Sequence, residues 1–298
     1  MNAVSVQNIV KRYGDHTAVD HVSFAIPSGG VFGLLGPNGA GKTSTIRMIM
    51  KIILPDEGTL DVLGAPVGRL DTSRVGYLPE ERGLYKKMKL LDLLVFFARI
   101  KGLDRTLARE RALHWLERFD LSTYAGKTAE DLSKGMQQKV QFIATVLHEP
   151  ALLILDEPFS GLDPVNTNLL KDIILDYHKQ GHTVVFSTHM MDQVDRLCEH
   201  LCMINRGRVV LSGTLRAVKE QYGRGGVSLR FRGDGSFLSS LPEVANLNDY
   251  GNEVFIRTVE GADPERILDA ARERLTVTRY ELAEPSIHDI FIERVSET

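Results

Sequence analysis

Cysteine is almost missing from this chain of 298 residues: Cys198 and Cys202 are the only two. Two are too few for a disulfide framework, and no further Cys or His stands at metal-binding spacing, so both read as reduced, part-buried thiols. Long apolar runs are also missing. The longest, Leu93–Ala98, has six residues, against the ~20 that a membrane-spanning helix needs. The opening MNAVSVQNIV lacks an apolar stretch behind a basic start, so no secretory leader is expected. Excess positive charge is absent too. Lys and Arg number 36 against 39 Asp and Glu, a formal −3, which leaves no cationic footprint for nucleic acid. These absences describe a chain expected to stay in the cytoplasm and to span nothing.

What is present is an ordinary globular mixture, 43% hydrophobic and 25% charged, enough for a sizeable core. The charge is uneven along it. Residues 225–298 hold eight Arg, no Lys and fourteen Asp or Glu, a formal −6 that leaves +3 for the first 224. That step, with the glycine-rich Tyr222–Gly226, predicts a larger body at 1–222 and a small acidic α+β domain at 223–298. In the first part, Val22, Phe24 and Ile26 alternate with polar or small residues, as in a half-buried strand. Val31–Leu35, Ala151–Leu155 and Thr183–Ser187 are short continuous apolar runs, the pattern of strands covered on both faces of a parallel sheet. Residues from about 84 to 149 read as mostly helical, with Ala108, Ala112, Trp115, Leu116 and Phe119 on one apolar stripe. The expected fold class is therefore α/β with a parallel core sheet, an N-terminal β part, an inserted helical block and a small α+β appendage. In that appendage, Val227–Phe231 and Val254–Arg257 are strand candidates, and Pro264–Leu275 and Ser286–Val295 read as helices.

Between a buried strand and a helix carrying Ile46, Ile49, Met50 and Ile53 lies Gly36-Pro37-Asn38-Gly39-Ala40-Gly41-Lys42-Thr43, followed by Ser44. This is G-x-x-x-x-G-K-[ST] in the context that its mechanism requires. Glycines let successive N–H groups turn toward phosphate oxygens, and the helix N-terminus adds unpaired donors and partial positive charge. Lys42 is placed to meet the β- and γ-phosphates and the Thr43 hydroxyl to hold Mg²⁺. ATP and Mg²⁺ are the expected ligands.

Leu152–Leu155 ends in Asp156-Glu157. Neighbours on a strand point to opposite faces, so the two carboxylates are expected to do different work. Asp156 is assigned to the magnesium shell, and Glu157 to orienting or deprotonating the attacking water. The plainer alternative is that Asp-Glu merely opens the turn before Pro158. His189, after Phe186-Ser187-Thr188, should emerge at the same sheet edge, where it could touch the γ-phosphate or the water, or simply lie at the surface.

With Leu132-Ser133-Lys134-Gly135-Met136-Gln137-Gln138 ahead of Asp156 and Ser160-Gly161-Leu162-Asp163 behind it, the chain resembles the ATP-binding-cassette (ABC) family over roughly residues 4–220. The resemblance implies an ABC-type P-loop ATPase and a dimer. In that dimer Ser133, Lys134, Gly135 and Met136 of one subunit face the nucleotide held by the other. It also implies that Tyr13, in Lys11-Arg12-Tyr13-Gly14, stacks on adenine. Two departures stand out. Glu80 follows Val75-Gly76-Tyr77-Leu78-Pro79 where the family usually has Gln, so it either binds Mg²⁺ or couples differently. Lys134 and Met136 replace the Gly and Gln of the family's L-S-G-G-Q. Glu80–Tyr85, the Ser-Lys-Gly-Met pattern and the acidic appendage resemble ATPase subunits of bacterial ABC-2-type exporters, nearest the sodium-extruding systems.

The resemblance thus implies an ATPase, homodimeric or paired with a paralogue, that sits on the inner face of the membrane through a separate integral-membrane permease. Residues 82–89 and the helical block around Trp115 form the expected docking face. The substrate is not legible here, because it belongs to the permease. The alternative is a soluble ABC ATPase acting on DNA or ribosomes. A single cassette, about 90 residues between Lys42 and Ser133, and an acidic tail speak against it.

Overall fold

The computed structural model describes residues 1–81, 83–222, 226–259 and 261–296. Arg82, part of the expected docking segment, and residues 223–225 of the glycine-rich break lie outside the described residues. In chain order the first elements are β1 (Asn2–Tyr13), β2 (His16–Pro27), β3 (Val31–Leu35), α1 (Lys42–Ile49), β4 (Glu57–Val62), β5 (Ala65–Pro66) and β6 (Val75–Leu78). Three helices follow, α2 (Leu90–Ile100), α3 (Arg105–Arg118) and α4 (Lys134–Val146), then β7 (Leu152–Asp156), α5 (Pro164–Lys179) and β8 (Thr183–Thr188). After these come α6 (Met191–Leu197), β9 (His200–Asn205), β10 (Arg208–Thr214) and α7 (Leu215–Gln221). The chain closes with β11 (Gly226–Arg232), β12 (Val244–Asp249), β13 (Glu253–Thr258), α8 (Pro264–Arg274), β14 (Thr276–Ala283) and α9 (Ile287–Ser296).

Two units share these elements: Met1–His189 with Leu197–Ser212, and Met190–Arg196 with Gly213–Thr298. The second unit's main segment begins at Gly213, whereas the composition step suggested 222–223. Charge changes near the glycines, but Thr214 already caps α7, its hydroxyl accepting from the Ala217 N–H at 3.0 Å.

The first unit is built on a six-stranded sheet of order β10-β9-β3-β8-β7-β6. The pairs β3–β8, β3–β9, β7–β8 and β6–β7 are parallel. Every residue of β3, β7 and β8 is buried, as their unbroken apolar sequences require. Ile46, Ile49 and Met50 bury the inner face of α1 in the same core that Ile53 flanks. A second sheet, β2-β1-β4-β5, is antiparallel. Its β1–β2 hairpin sets Tyr13 opposite His16. The helical block α2–α4 is inserted between β6 and β7.

Trp115 lies inside that block, 9% exposed, packed on Phe119 and Phe142 at 6.0 and 6.4 Å between ring centroids. The apolar stripe of Ala108, Ala112, Trp115, Leu116 and Phe119 is thus core, and a docking face on this helical block has to use its other surfaces. Exposed apolar surface lies on α2 and just ahead of it, where Tyr85, Phe96 and Phe97 pack together and Ile100 is 63% exposed.

The second unit has its own core of Val227, Leu229, Phe231, Val254, Ile256, Ile267, Ala271 and neighbours. Its sheet is antiparallel, β12-β13-β11-β14. At the start of α9, Ser286 and Asp289 cap each other reciprocally: the Ser286 N–H donates to Asp289 Oδ2 at 2.9 Å and the Asp289 N–H to Ser286 Oγ at 3.1 Å.

Candidate functional site

The site forms where β3 runs into α1. Gly36 has φ +148° and Gly41 has φ +105°. A Cβ at Gly36 would stand 2.1 Å from the Ile204 carbonyl oxygen, and one at Gly41 2.4 Å from that of Ala18. Both positions therefore demand glycine, for conformation and for space. Gly41 gives α1 no side-chain cap, and the first turn of α1 carries no acidic residue, which leaves the dipole's positive end to an anionic ligand.

Lys42 is buried, 6% exposed, and folds back over its own loop. Its Nζ donates to the carbonyls of Gly36 at 2.7 Å and Pro37 at 3.1 Å, and stands 3.6 Å from Glu157 Oε1. The loop and helix start line a cleft of about 410 Å³, bounded also by Tyr13, His16 and Ala18 and by Glu80 and Glu157. Asn38, Gly39, Ala40, Gly41, Lys42, Thr43 and Ser44 all face it; Gly36 and Pro37 turn the chain behind it. His16 and Ala18 escaped the sequence reading. Only the hairpin register that pairs His16 with Tyr13 reveals them.

Asp156 ends β7 with 1% exposure. Its Oδ1 accepts from Ser187 Oγ at 2.5 Å, while Oδ2 is buried without a hydrogen-bond partner among the described residues. Burial pushes this carboxyl above the usual range; the Ser187 and Thr43 hydroxyls pull it back, the charge of Glu157 pushes it further up, and Lys42 lowers it. Tyr77, next door on β6, is pushed up to about 12 by burial first and by Asp156 second, and so remains a neutral phenol.

Glu157 is not part of the strand. Its φ of +49° puts it in the left-handed region, so the turn of the backbone, and not strand alternation, separates the two carboxylates. Its Oε2 lies 3.0 Å from His189 Nδ1, and its Oε1 is buried with no hydrogen-bond partner among the described residues. His189 therefore meets Glu157 rather than the cleft itself, which it does not line. Glu80 is exposed at the rim.

The donor set suits a small, hard cation. One carboxylate oxygen without a partner among the described residues stands near one threonine hydroxyl, and no group of three or more Asp, Glu, His or Cys placed to hold a metal ion lies among the described residues. Mg²⁺ takes one or two protein ligands of this kind and fills the rest with phosphate and water.

Ser133, Lys134, Gly135 and Met136 do not line the cleft of their own chain. Ser133 Oγ accepts from the Met136 N–H at 3.3 Å and caps α4, with Ser133 and Lys134 exposed. Further along, Gln138 Nε2 donates to the carbonyls of Pro158 at 3.0 Å and Ser160 at 3.1 Å, tying α4 to the segment after Glu157. Asp163 caps α5 through the Asn166 N–H at 3.0 Å.

Comparison with known proteins places this geometry in company. The ABC transporter family profile matches residues 19–160, and that of the "ATP-binding protein DrrA1-3-like, C-terminal domain" matches residues 213–295. The chain is 43% identical to the uncharacterized ABC transporter ATP-binding protein YhaQ of Bacillus subtilis, covering 98% of each. It is 35% identical to the Nod factor export ATP-binding protein I of Sinorhizobium fredii, over 97% of this chain and 85% of that one. A solved ATP-binding subunit of an ABC transporter superposes with a TM-score of 0.70 at 30% identity, covering 74% of this chain and 93% of that one.

Proposed function

The chain belongs to the ABC transporter family of ATP-binding proteins, and from that premise we propose that it is the ATP-hydrolysing subunit of an exporter whose membrane part is a separate permease. One observation carries this most directly. A single cleft collects the glycine loop, Lys42 and Glu157, next to which lies the buried Asp156; each carboxylate has one oxygen without a hydrogen-bond partner among the described residues. Buried unsatisfied oxygens are costly, and a bound cation or water repays them.

In this reading Gly36–Ser44 hold the triphosphate, with Lys42 moving from the loop carbonyls to the phosphate oxygens. Tyr13 receives the adenine. Thr43 and Asp156 hold Mg²⁺, which when bound neutralises the developing charge on the phosphates, and Glu80 at the rim is a further oxygen donor within reach. Glu157 orients and deprotonates the attacking water, and His189 steadies Glu157 through its Oε2. Ser133, Lys134, Gly135 and Met136 face outward, and their work falls on the nucleotide of a second copy or a paralogue: the N-terminus of α4 offers its dipole to the γ-phosphate there.

No helix among the described residues is long and apolar enough to cross a membrane. A permease partner therefore supplies the membrane passage, and this chain works at its cytoplasmic face. The groove of about 440 Å³ on α2, between Phe96, Arg99, Ile100 and Arg105, is the surface we assign to that partner. Two features support the exporter class: the full-length likeness to a Nod factor export protein, and the second unit's match to a DrrA-like C-terminal domain. The transported compound is left to the permease.

Calorimetry with ATP, a Mg²⁺-dependent phosphate-release assay and co-purification from detergent-solubilised membranes test the reading. Heat on ATP titration, turnover, and a captured polytopic protein are expected. Absence of ATP binding would overturn it.

A further inference from the structure

The parallel register of β7 and β8 sets Ser187 directly opposite Asp156. Ser187 is fully buried, and its hydroxyl is used twice. It donates to Asp156 Oδ1 at 2.5 Å and accepts the Glu157 backbone N–H at 3.0 Å. One oxygen atom thus spans both residues at the end of β7. We propose that Ser187 is a positioning residue for the metal-nucleotide centre, fixing which oxygen of Asp156 is offered to the cation and where the Glu157 side chain starts.

The argument is geometric. A carboxylate on a buried side chain can turn about its last bond, and either oxygen could then be the one left for a cation. With Oδ1 tied to Ser187, rotation is blocked and Oδ2, buried and without a hydrogen-bond partner among the described residues, is the oxygen left for a cation. Partners behind a ligating group fix its orientation in this way, and losing one typically costs about 10–100-fold in metal affinity. The second bond acts on the neighbouring residue. Glu157 adopts φ +49°, a conformation that non-glycine residues seldom hold unless their surroundings fix it. Its N–H is aimed inward and ends on Ser187 Oγ, which anchors the turn that carries Oε1 toward Lys42 and Oε2 toward His189. No other side-chain hydroxyl within this unit has this double use of both residues in the described hydrogen bonds.

This inference rests on the ATPase reading above and goes beyond it, so the experiment must separate the two. Mn²⁺ serves as a paramagnetic stand-in for Mg²⁺, and its binding to the ATP-loaded full chain is followed by electron paramagnetic resonance. ATP affinity is measured separately in EDTA. Ser187→Ala is expected to keep metal-free ATP affinity within about two-fold while its Mn²⁺ midpoint rises about 10–100-fold. Ser187→Thr, which restores a hydroxyl, is expected to recover most of that shift. A Mn²⁺ midpoint in Ser187→Ala equal to the wild type overturns the proposal. So does loss of metal-free affinity, which would make Ser187 a structural residue only. Wild-type protein that binds ATP in neither condition overturns the ATPase reading itself.

Discussion

Asp156 at the end of β7 and Asp289 at the start of α9 are both buried, at 1% and 6% exposure, yet the two units treat them in opposite ways. Asp289 has every oxygen engaged. Ser286 donates twice to Oδ2, from its N–H at 2.9 Å and its Oγ at 2.5 Å, while Tyr250 and Asn248 reach Oδ1 at 2.6 and 3.3 Å. Asp156 has one oxygen held by Ser187 and the other left bare. The antiparallel unit uses its buried charge to fasten a helix end. The parallel unit buries its charge with one oxygen left unpartnered among the described residues. Burial alone therefore does not distinguish the two carboxylates; the unfilled lone pairs do.

The largest test of this contrast is Glu157→Gln. Turnover is expected to fall about 10²–10⁴-fold, the usual worth of a general base, with ATP binding kept and a dimer accumulating in Mg-ATP. Light scattering that shows only monomer at saturating Mg-ATP would break the assignment. Lys42→Ala is next. Losing a hydrogen-bonding charge should cost about 1.5–3 kcal/mol, or about 10–150-fold in ATP affinity by calorimetry. Asp289→Ala should reverse the pattern. ATP turnover should stay within about two-fold, while melting reports about 2 kcal/mol lost from the second unit, because Ser286 and Tyr250 are left with unmade bonds. A fall in turnover without loss of stability would erase the distinction.

His148 sharpens the rule most finely. Its Nδ1 is also buried without a hydrogen-bond partner among the described residues, and Nε2 meets the Val75 carbonyl at 3.2 Å. Here the ring escapes the cost by staying neutral: burial, then the nearby Lys101, hold its pKa down at about 4, against 6.5 when unfolded. A depressed pKa gives stability that is present above 6.5 and lost as pH falls toward 4. About 1–2 kcal/mol should disappear between pH 7 and pH 5, and His148→Leu should flatten that part of the profile. An unchanged slope in the variant would place the loss elsewhere.

The glycine loop could be read from the sequence because its function is written in contiguous residues, Gly36–Thr43, between a buried strand and a helix. Asp156 and Glu157 were legible as a pair, but not the left-handed turn at Glu157, which depends on what its N–H finds 30 residues later. Ser187 and His16 needed pairing register, which local pattern does not carry. In the second unit, β11, β13, α8 and α9 announce themselves through apolar periodicity. β12 and β14 do not, since much of each is exposed and polar. Trp115 was legible too: its stripe with Ala108, Ala112, Leu116 and Phe119 repeats at helical spacing, and all five are buried.

The amide of Gln138 makes mechanical sense of the chain's economy. Its two bonds, each worth about 1 kcal/mol, act as a tether between the helix that opens at Ser133 and the loop that begins one residue past Glu157. A push on that helix from outside cannot leave the turn after Glu157 untouched; either the tether snaps or the turn travels with it.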